Sequence, residues 1–413
     1  MWKAETDIMF KDYKLKNFNF KVLLYVLVLC GISYFAIQSA VTGTANEGLD
    51  RKQLYGIAFG LSVVAVMTFV DYHLYMKFFW VFHLINMGLL VATKFFGISR
   101  NNAKRWLKLG IQIQPSELSK ILLIIVMAAL LTKFSDKINK WWTILISVTV
   151  SGMAWALIAD QPDLSTTIVC VFVFCCMYYL AGLNYKWVGS ILAVGGVGAA
   201  YLFWAVMTGN MSEKILKTYQ QNRIRSFIDK TFDKDLWRQQ ENSIMAIGSG
   251  GLFGKGLNND SYMSVKNGNF LSEDQTDFIF TIVGEEMGFI GTCAVILLLA
   301  LLVFECFRVA GKAKDLSGKL LAGGVGSLIA VQSCVNIAVV TGSICNTGLP
   351  LPFVSYGLSS LLSLFIGIGL VMNVSMQRPD RDAKQQEFIS KQQEQQQKQQ
   401  QRAQSGAADN GGK

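Results

Sequence analysis

Residues 276–305 read TDFIFTIVGEEMGFIGTCAVILLLALLVFE, a run whose second half is almost unbroken apolar side chain and which holds no lysine or arginine. A bilayer core about 30 Å thick is crossed by about 20 apolar residues at about 1.5 Å each, so this run is long enough to span one. A helix of a large soluble protein would carry a charged stripe along its outer face, and this one does not. Residues 21–40, 52–70, 78–97, 115–132, 141–159, 163–182, 186–206, 319–341 and 351–375 repeat the pattern. The runs do not alternate polar with apolar, which excludes a lumen-lining β-barrel strand. With 52% of 413 residues hydrophobic and 16% charged, the chain lies outside the balance of soluble globular proteins. The predicted fold is all-α, a polytopic integral membrane protein of about ten transmembrane helices. A large outer loop, residues 207–275, separates helices seven and eight.

Basic residues in short loops orient such a chain. With an even number of spans both termini share a side. That side holds Lys3, Lys11, Lys14 and Lys16, then Lys133, Lys137 and Lys140, then Arg308, Lys312, Lys314 and Lys319, which makes it cytoplasmic. Two outer stretches, residues 100–108 and 207–275, carry positive charge on the wrong side. Long translocated loops escape the rule; an anionic ligand at the outer surface is the other explanation. Residues 1–20 read as a cytoplasmic N-terminal segment rather than a cleaved signal. Residues 21–377 form the membrane domain. Residues 378–413, with QQEQQQKQQQ at 392–401, read as a disordered Gln-rich cytoplasmic tail. Seven of eight cysteines fall in or beside predicted helices and only Cys345 in an outer loop, which argues against a disulfide framework. Two histidines and no thiol pair at ligand spacing argue against structural zinc.

The polar residues at the outer ends of the spans carry the chemistry. Residues 102–120 read NAKRWLKLGIQIQPSELSK, with Lys104, Arg105 and Lys108 around Trp106 at headgroup depth. Arginine makes directed bonds to phosphate oxygens while tryptophan anchors at the interface. Pro115 starts a helix whose Glu117 and Lys120 share one face, either as a self-neutralising pair or as part of a polar cavity. In DQPDLSTT, residues 160–167, Asp163 stands where a helix N-cap or a functional acid would. In NTGLPLPFVSYGLSS, residues 346–360, two prolines break any helix before Phe353, leaving Ser355, Tyr356, Ser359 and Ser360 to face a cavity or to bond other helices.

The large loop holds AIGSGGLFGKG at 246–256, where Gly248, Ser249, Gly250 and Lys255 suit a tight turn near a ligand, though the GKS or GKT ending of a P-loop is missing. YQQNRIRSFID, residues 219–229, has the spacing of an amphipathic helix suited to lying on headgroups. Asp277 falls in the first turn of the quoted run. Glu285 and Glu286 lie about 12 Å deeper, rotated from it by about 80° and about 180°, so the three acids cannot all face one site. An acid at such depth is a functional candidate, and at least one of the three is a structural partner to another helix.

These motifs together resemble the SEDS family (shape, elongation, division and sporulation). The KRWL-type motif and QPSE are matched by residues 104–107 and 114–117. QPDLGT is matched by 161–166 with Ser165 for glycine, and AIGSGGLFGKG is intact. The HTDFIF…GEE motif is matched by 276–280 and 284–286 with Gln275 for histidine. LPVTGLPLPFVSYGGSS is matched by 344–360 with Ile344, Cys345, Asn346 and Leu358 as departures. Asp71 and Tyr72 favour the elongation type. The resemblance implies a peptidoglycan glycosyltransferase that polymerises lipid II into glycan strands. Transfer inverts MurNAc C1 and releases undecaprenyl pyrophosphate. A lipid II flippase and a noncatalytic activator of a penicillin-binding protein are the alternatives. It implies Asp277 as general base or as ligand to a divalent cation (Mg or Mn), with no organic cofactor. Lys104, Arg105 and Lys108 would bind phosphate and Glu117, Lys120 and Asp163 would line the cavity. The turn from Gly248 to Gly256, with Ser249, Gly250 and Lys255, would shape the sugar site, and Ser355 and Tyr356 would bind substrate. The implied partners are a class B penicillin-binding protein and other cell-wall elongation proteins at the bacterial cell membrane, with no nucleic acid.

Overall fold

Each apolar run folds as a helix, because in lipid only hydrogen bonds within the segment can satisfy the backbone. In the computed structural model of the chain, the described residues are 13, 15–42, 44, 46–100, 103–109, 111–161, 163–213, 216–257 and 275–378. The first helices are α1 (Phe20–Val41), α2 (Leu49–Phe69), short α3 (Tyr72–Lys77) and α4 (Phe79–Phe96). Three short strands follow, β1 (Ile98–Arg100), β2 (Ala103–Leu109) and β3 (Ile111–Ile113). Then come α5 (Pro115–Lys133), α6 (Trp141–Asp160), α7 (Leu164–Leu180), α8 (Tyr185–Met207), α9 (Thr218–Ile228), α10 (Lys234–Ser249), α11 (Ile279–Gly311), α12 (Leu316–Val340) and α13 (Leu358–Met376). Among the described residues nine helices are long and apolar enough to cross a membrane, and the 17-residue α7 is a shorter apolar one. The chain is thus an all-α polytopic membrane protein, as predicted. The Gln-rich tail beyond Arg378 lies outside the described residues, as do residues 258–274 of the large loop.

Helices α5 and α13 form the centre, each 83% buried over its apolar window, whereas α8 is only 12% buried and presents its sides to lipid. Pro115 is the first residue of α5, where a missing N–H costs nothing. Three local expectations change. The basic segment around Trp106 is a small antiparallel sheet, β1–β2–β3, rather than irregular loop. The last span begins at Leu358, seven residues later than expected, because Pro350 and Pro352 are followed by more irregular chain before the helix. Asp277 lies in a turn ahead of α11 instead of in its first turn, and α11 breaks at Gly288 (φ 65°, ψ −161°).

That break explains the glycine-rich motif. Residues 251–256 lie against the broken helix, with Lys255 N donating to Glu285 O (2.9 Å), Gly256 N to Glu286 O (3.0 Å) and Phe289 N to Gly251 O (2.9 Å). A Cβ at Gly254 would stand 2.1 Å from Glu286 O and one at Gly288 would stand 2.3 Å from Gly254 N, so the close approach that needs glycine is to helix backbone. Lys255 Nζ pairs with buried Glu285 at 2.8 Å, and Glu286 bonds the Ser39 hydroxyl of α1. Both deep acids are therefore partners to other elements.

At the opposite end of the bundle a polar latch joins the turn after α2, the N-terminus of α12 and the C-terminus of α13. His73 sits between Asp71 (Nδ1 to Oδ1, 2.8 Å) and Asp315 (Nε2 to Oδ2, 2.9 Å), and Tyr72 donates to Asp315 Oδ1 at 2.8 Å. Asn373 of α13 donates to Thr68 O (2.8 Å) and Val70 O (2.6 Å), closing the end of α2. The bonds to Asp315 and then Asp71 raise the His73 pKa from 6.5 to about 9. Burial pushes Asp71 up, but bonds from His73 and Gln377 outweigh it and hold the carboxyl at about 2. His73 is raised, so its contribution is full below pH 6.5 and fades as pH climbs through about 9. Asp71 is depressed, so its contribution is full above pH 3.8 and is lost as pH falls through about 2. The His73 side chain is 43% exposed, so screening limits the effect to the order of 1 kcal/mol. Between pH 7 and pH 10 the wild type should lose melting temperature in detergent while His73→Gln stays flatter. Equal pH dependence in the two proteins would remove the latch from the account.

Candidate active site

The loop from Asn346 to Tyr356 gathers the polar residues of the sequence motifs. Phe353 holds it in shape: its φ is 62°, a conformation costing about 1–3 kcal/mol outside glycine, offset by full burial of its ring edge-on against Phe365 (5.7 Å, 70°). The Asp277 turn is fixed to this loop through its backbone. Tyr356 N donates to Gln275 O (2.9 Å) and the Ser355 hydroxyl donates to Thr276 O (2.6 Å). Asn336 of α12 donates from one amide nitrogen to both Asp277 O (2.8 Å) and Leu349 O (2.7 Å). The half-buried Asp277 carboxylate rests against Gly348, where a Cβ would lie 3.2 Å from Oδ2. Ser355 is therefore a scaffold residue, and Tyr356 fixes the turn through its backbone.

Buried Glu117 and Lys120 lie one turn apart on α5, with the ammonium within 2.9 Å of both carboxylate oxygens. Lys120 Nζ also donates to Gln332 Oε1 of α12 (2.9 Å), and Gln332 Nε2 donates to Pro350 O (2.9 Å). The pair is thus wired to the loop that carries Gly348. Asp163 caps α7 by accepting from Thr166 N (3.3 Å), and its other oxygen accepts from the Ser116 hydroxyl of α5 (2.9 Å). Two residues on, the Ser165 hydroxyl donates to Thr347 O, beside Gly348.

The basic motif divides. Lys104 and Lys108 are exposed and Arg105 is half-buried, and because the successive β1 residues Ile98 and Ser99 pair with Trp106 and Lys104, Arg105 lies at a bulge in β2. Arg105 Nε donates to Gln161 O (3.1 Å), which brings its guanidinium beside the Asp163 motif. Gly250 and Lys255 meet broken α11, a Cβ at Gly250 standing 2.0 Å from Gly284 O and Lys255 pairing with Glu285, whereas a Cβ at Gly248 would meet nothing within 4 Å and the Ser249 hydroxyl donates to Ala246 O of its own helix (2.7 Å). Arg225 of α9 donates to Val206 O (2.8–2.9 Å), closing the end of α8 instead of facing headgroups. Gln332 and Asn336 were not singled out in the sequence. Two amides inside the apolar run 319–341 were the available signal, since polar groups in a span must find partners. Among the described residues no group of three His, Cys, Asp or Glu side chains could hold a metal ion.

A family model described as cell cycle protein, covering FtsW, RodA and SpoVE, matches residues 17–380. The chain belongs to this SEDS family of multi-span membrane proteins and closely resembles RodA. It is 31% identical over 374 residues to a probable peptidoglycan glycosyltransferase FtsW of Bacillus subtilis, covering 88% of this chain and 91% of the relative. It is 32% identical over 359 residues to the peptidoglycan glycosyltransferase MrdB of Escherichia coli, covering 86% and 93%. The fold matches the rod shape determining protein RodA of Thermus thermophilus (TM-score 0.65, 24% identity, 88% of this chain and 98% of that one). It also matches a chain of a peptidoglycan synthase complex that coordinates polymerization and crosslinking (TM-score 0.71, 24% identity, 87% and 97%).

Proposed function

We propose that this chain is a peptidoglycan glycosyltransferase of cell-wall elongation, polymerising lipid II. The observation that carries the reading is the convergence, on residues 346–356, of Asp277, the Glu117–Lys120 pair and the Asp163 motif with Arg105, in a chain whose relatives are named for that activity. The GlcNAc 4-hydroxyl of the acceptor attacks MurNAc C1 of the donor with inversion, and undecaprenyl pyrophosphate departs. Asp277 takes the hydroxyl proton as general base. Alternatively Asp277 holds a divalent cation, for which one carboxylate and substrate phosphate oxygens suffice; the cation would then balance the charge of the leaving pyrophosphate. Arg105, with Lys108 and Lys104 at the rim, binds pyrophosphate oxygens. Asp163, Glu117 and Lys120 hold the cavity in shape.

In this reading the site faces outward, both termini are cytoplasmic, and the tail takes no part in turnover. A class B penicillin-binding protein crosslinks the product. Such an association is supported by the fold shared with a chain of a peptidoglycan synthase complex, and its contact is proposed on the large loop with α11 and α12. Residues 258–272, offered for that contact, lie outside the described residues. The test is gel analysis of labelled lipid II incubated with the purified chain and its transpeptidase. Glycan ladders are expected. Protein-dependent movement of lipid II across liposomes without ladders overturns the reading in favour of a flippase.

Arg105→Ala should lower turnover at subsaturating lipid II by about tenfold, a charge-assisted bond being worth about 1.5–3 kcal/mol. Arg105→Lys should recover only part, because a point charge cannot reproduce a planar fork. Wild-type turnover in the alanine variant would remove Arg105 from phosphate binding.

A further inference from the structure

The Asn346 loop has a second side. Between it and helices α9 and α10 lies a recess of about 440 Å³, its open mouth included. Arg223, Phe227, Trp237, Gln239, Gln240 and Asn346 line it. Arg223 is half-buried, and its Nη1 donates to Asn346 O at 3.2 Å. Among the described residues no ion pair engages this guanidinium, which has five N–H donors in a fixed fork. Gln240 spends its amide hydrogens on Val339 O (2.9 Å) and Ile344 O (2.7 Å), leaving its oxygen to accept. Asn346 Nδ2 donates to Gln239 Oε1 (3.4 Å), and Asn346 Oδ1 accepts from Gly348 N (3.1 Å). Gly348 is the residue against which the Asp277 carboxylate rests. Two chain positions therefore separate the recess from Asp277.

We infer that this recess is a saccharide subsite that binds the glycan chain beyond the reacting pair of sugars. Its ligand is an N-acetylated aminosugar chain bearing carboxylates, with Arg223 taking a carboxylate through its fork. Amide side chains match hydroxyl and N-acetyl groups, and Trp237 and Phe227 supply the apolar wall that sugar faces need. A lipid headgroup would require the cation but would leave the Gln240 oxygen and the aromatic wall unused. The identity of the glycan rests on the polymerase reading; binding itself needs no turnover.

The test is equilibrium dialysis of a labelled, lipid-free peptidoglycan tetrasaccharide with its peptides against the purified full chain, in wild-type and Asp277→Asn backgrounds. Arg223→Gln should weaken binding at least tenfold in both, and in the otherwise wild-type chain should shorten the glycan products made from lipid II. Chitotetraose, an N-acetylated chain without carboxylates, should bind weakly and alike with or without the substitution. If Arg223→Gln melts early, Arg223→Lys carries the test, with binding expected between the two. Equal tetrasaccharide binding by wild type and either variant overturns the subsite. Arg223-dependent binding by a wild type that makes no glycan strikes the polymerase reading and leaves the subsite standing. Normal glycan ladders with Arg223-independent binding do the reverse.

Discussion

Asp277→Asn is expected to lose glycan polymerisation by about 10²-fold or more, the usual scale for a positioned acid–base group. Asparagine keeps the size and hydrogen-bonding shape of the side chain but removes the negative charge and almost all basicity. The turn should survive the change, because Asn336, Ser355 and Tyr356 hold residues 275–277 through backbone atoms that the substitution leaves in place. Melting temperature, lipid II binding and association with the transpeptidase should therefore match the wild type. The measurement is the length and yield of labelled glycan on gels, made after thermal unfolding has shown the two proteins to be equally folded. Near-normal ladders from the variant would reject Asp277 as base or cation ligand, and Glu117 and Asp163 would be the next acids to test.

The second large effect is on stability. Glu117→Gln leaves the Lys120 ammonium, 3% exposed, without its counter-charge and facing neutral amide oxygens, Gln332 Oε1 among them. Breaking one side of a buried pair costs about 3–5 kcal/mol, because desolvation of the remaining charge is no longer offset. The variant should melt well below the wild type in detergent. Glu117→Gln with Lys120→Met should regain much of the loss, since removing both charges together is often near neutral. Its activity should stay low even so, because the Lys120 to Gln332 bond that backs Pro350 is gone. A single variant that melts with the wild type would show the pair to be energetically idle. A double variant with full activity would confine it to folding.

Hydrophobic patterning was enough to read an all-α membrane protein, with most helix ends within a few residues of those observed, because lipid forces each apolar run to close its own hydrogen bonds. It was enough, too, to mark Asp277, Glu117, Lys120, Asp163 and Arg105, since charge near a span is costly and stands out. The strands β1–β3 were not legible: β1 and β3, three residues each, lie below the length at which alternation can be distinguished from loop, and the seven residues of β2, AKRWLKL, do not alternate strictly. The glycine motif was legible as a tight turn, but what approaches it was not. Its partner is the backbone of α11 at Glu285 to Gly288, about thirty residues further along the chain and in direct bonding range in space.

The sequence by itself determined the spans, the family motifs and the small set of charged residues available for chemistry. Only the tertiary structure decided their grouping: that Arg105 parts from Lys104 and Lys108, that Lys255 serves Glu285, and that Gln332 and Asn336 bind the Asp277 turn and the Pro350 loop into one frame. The physical reason is that a helix or strand fixes which face a side chain takes from local spacing alone, whereas its partner is set by packing between elements up to hundreds of residues apart. Buried polar groups then bond whatever that packing brings within reach.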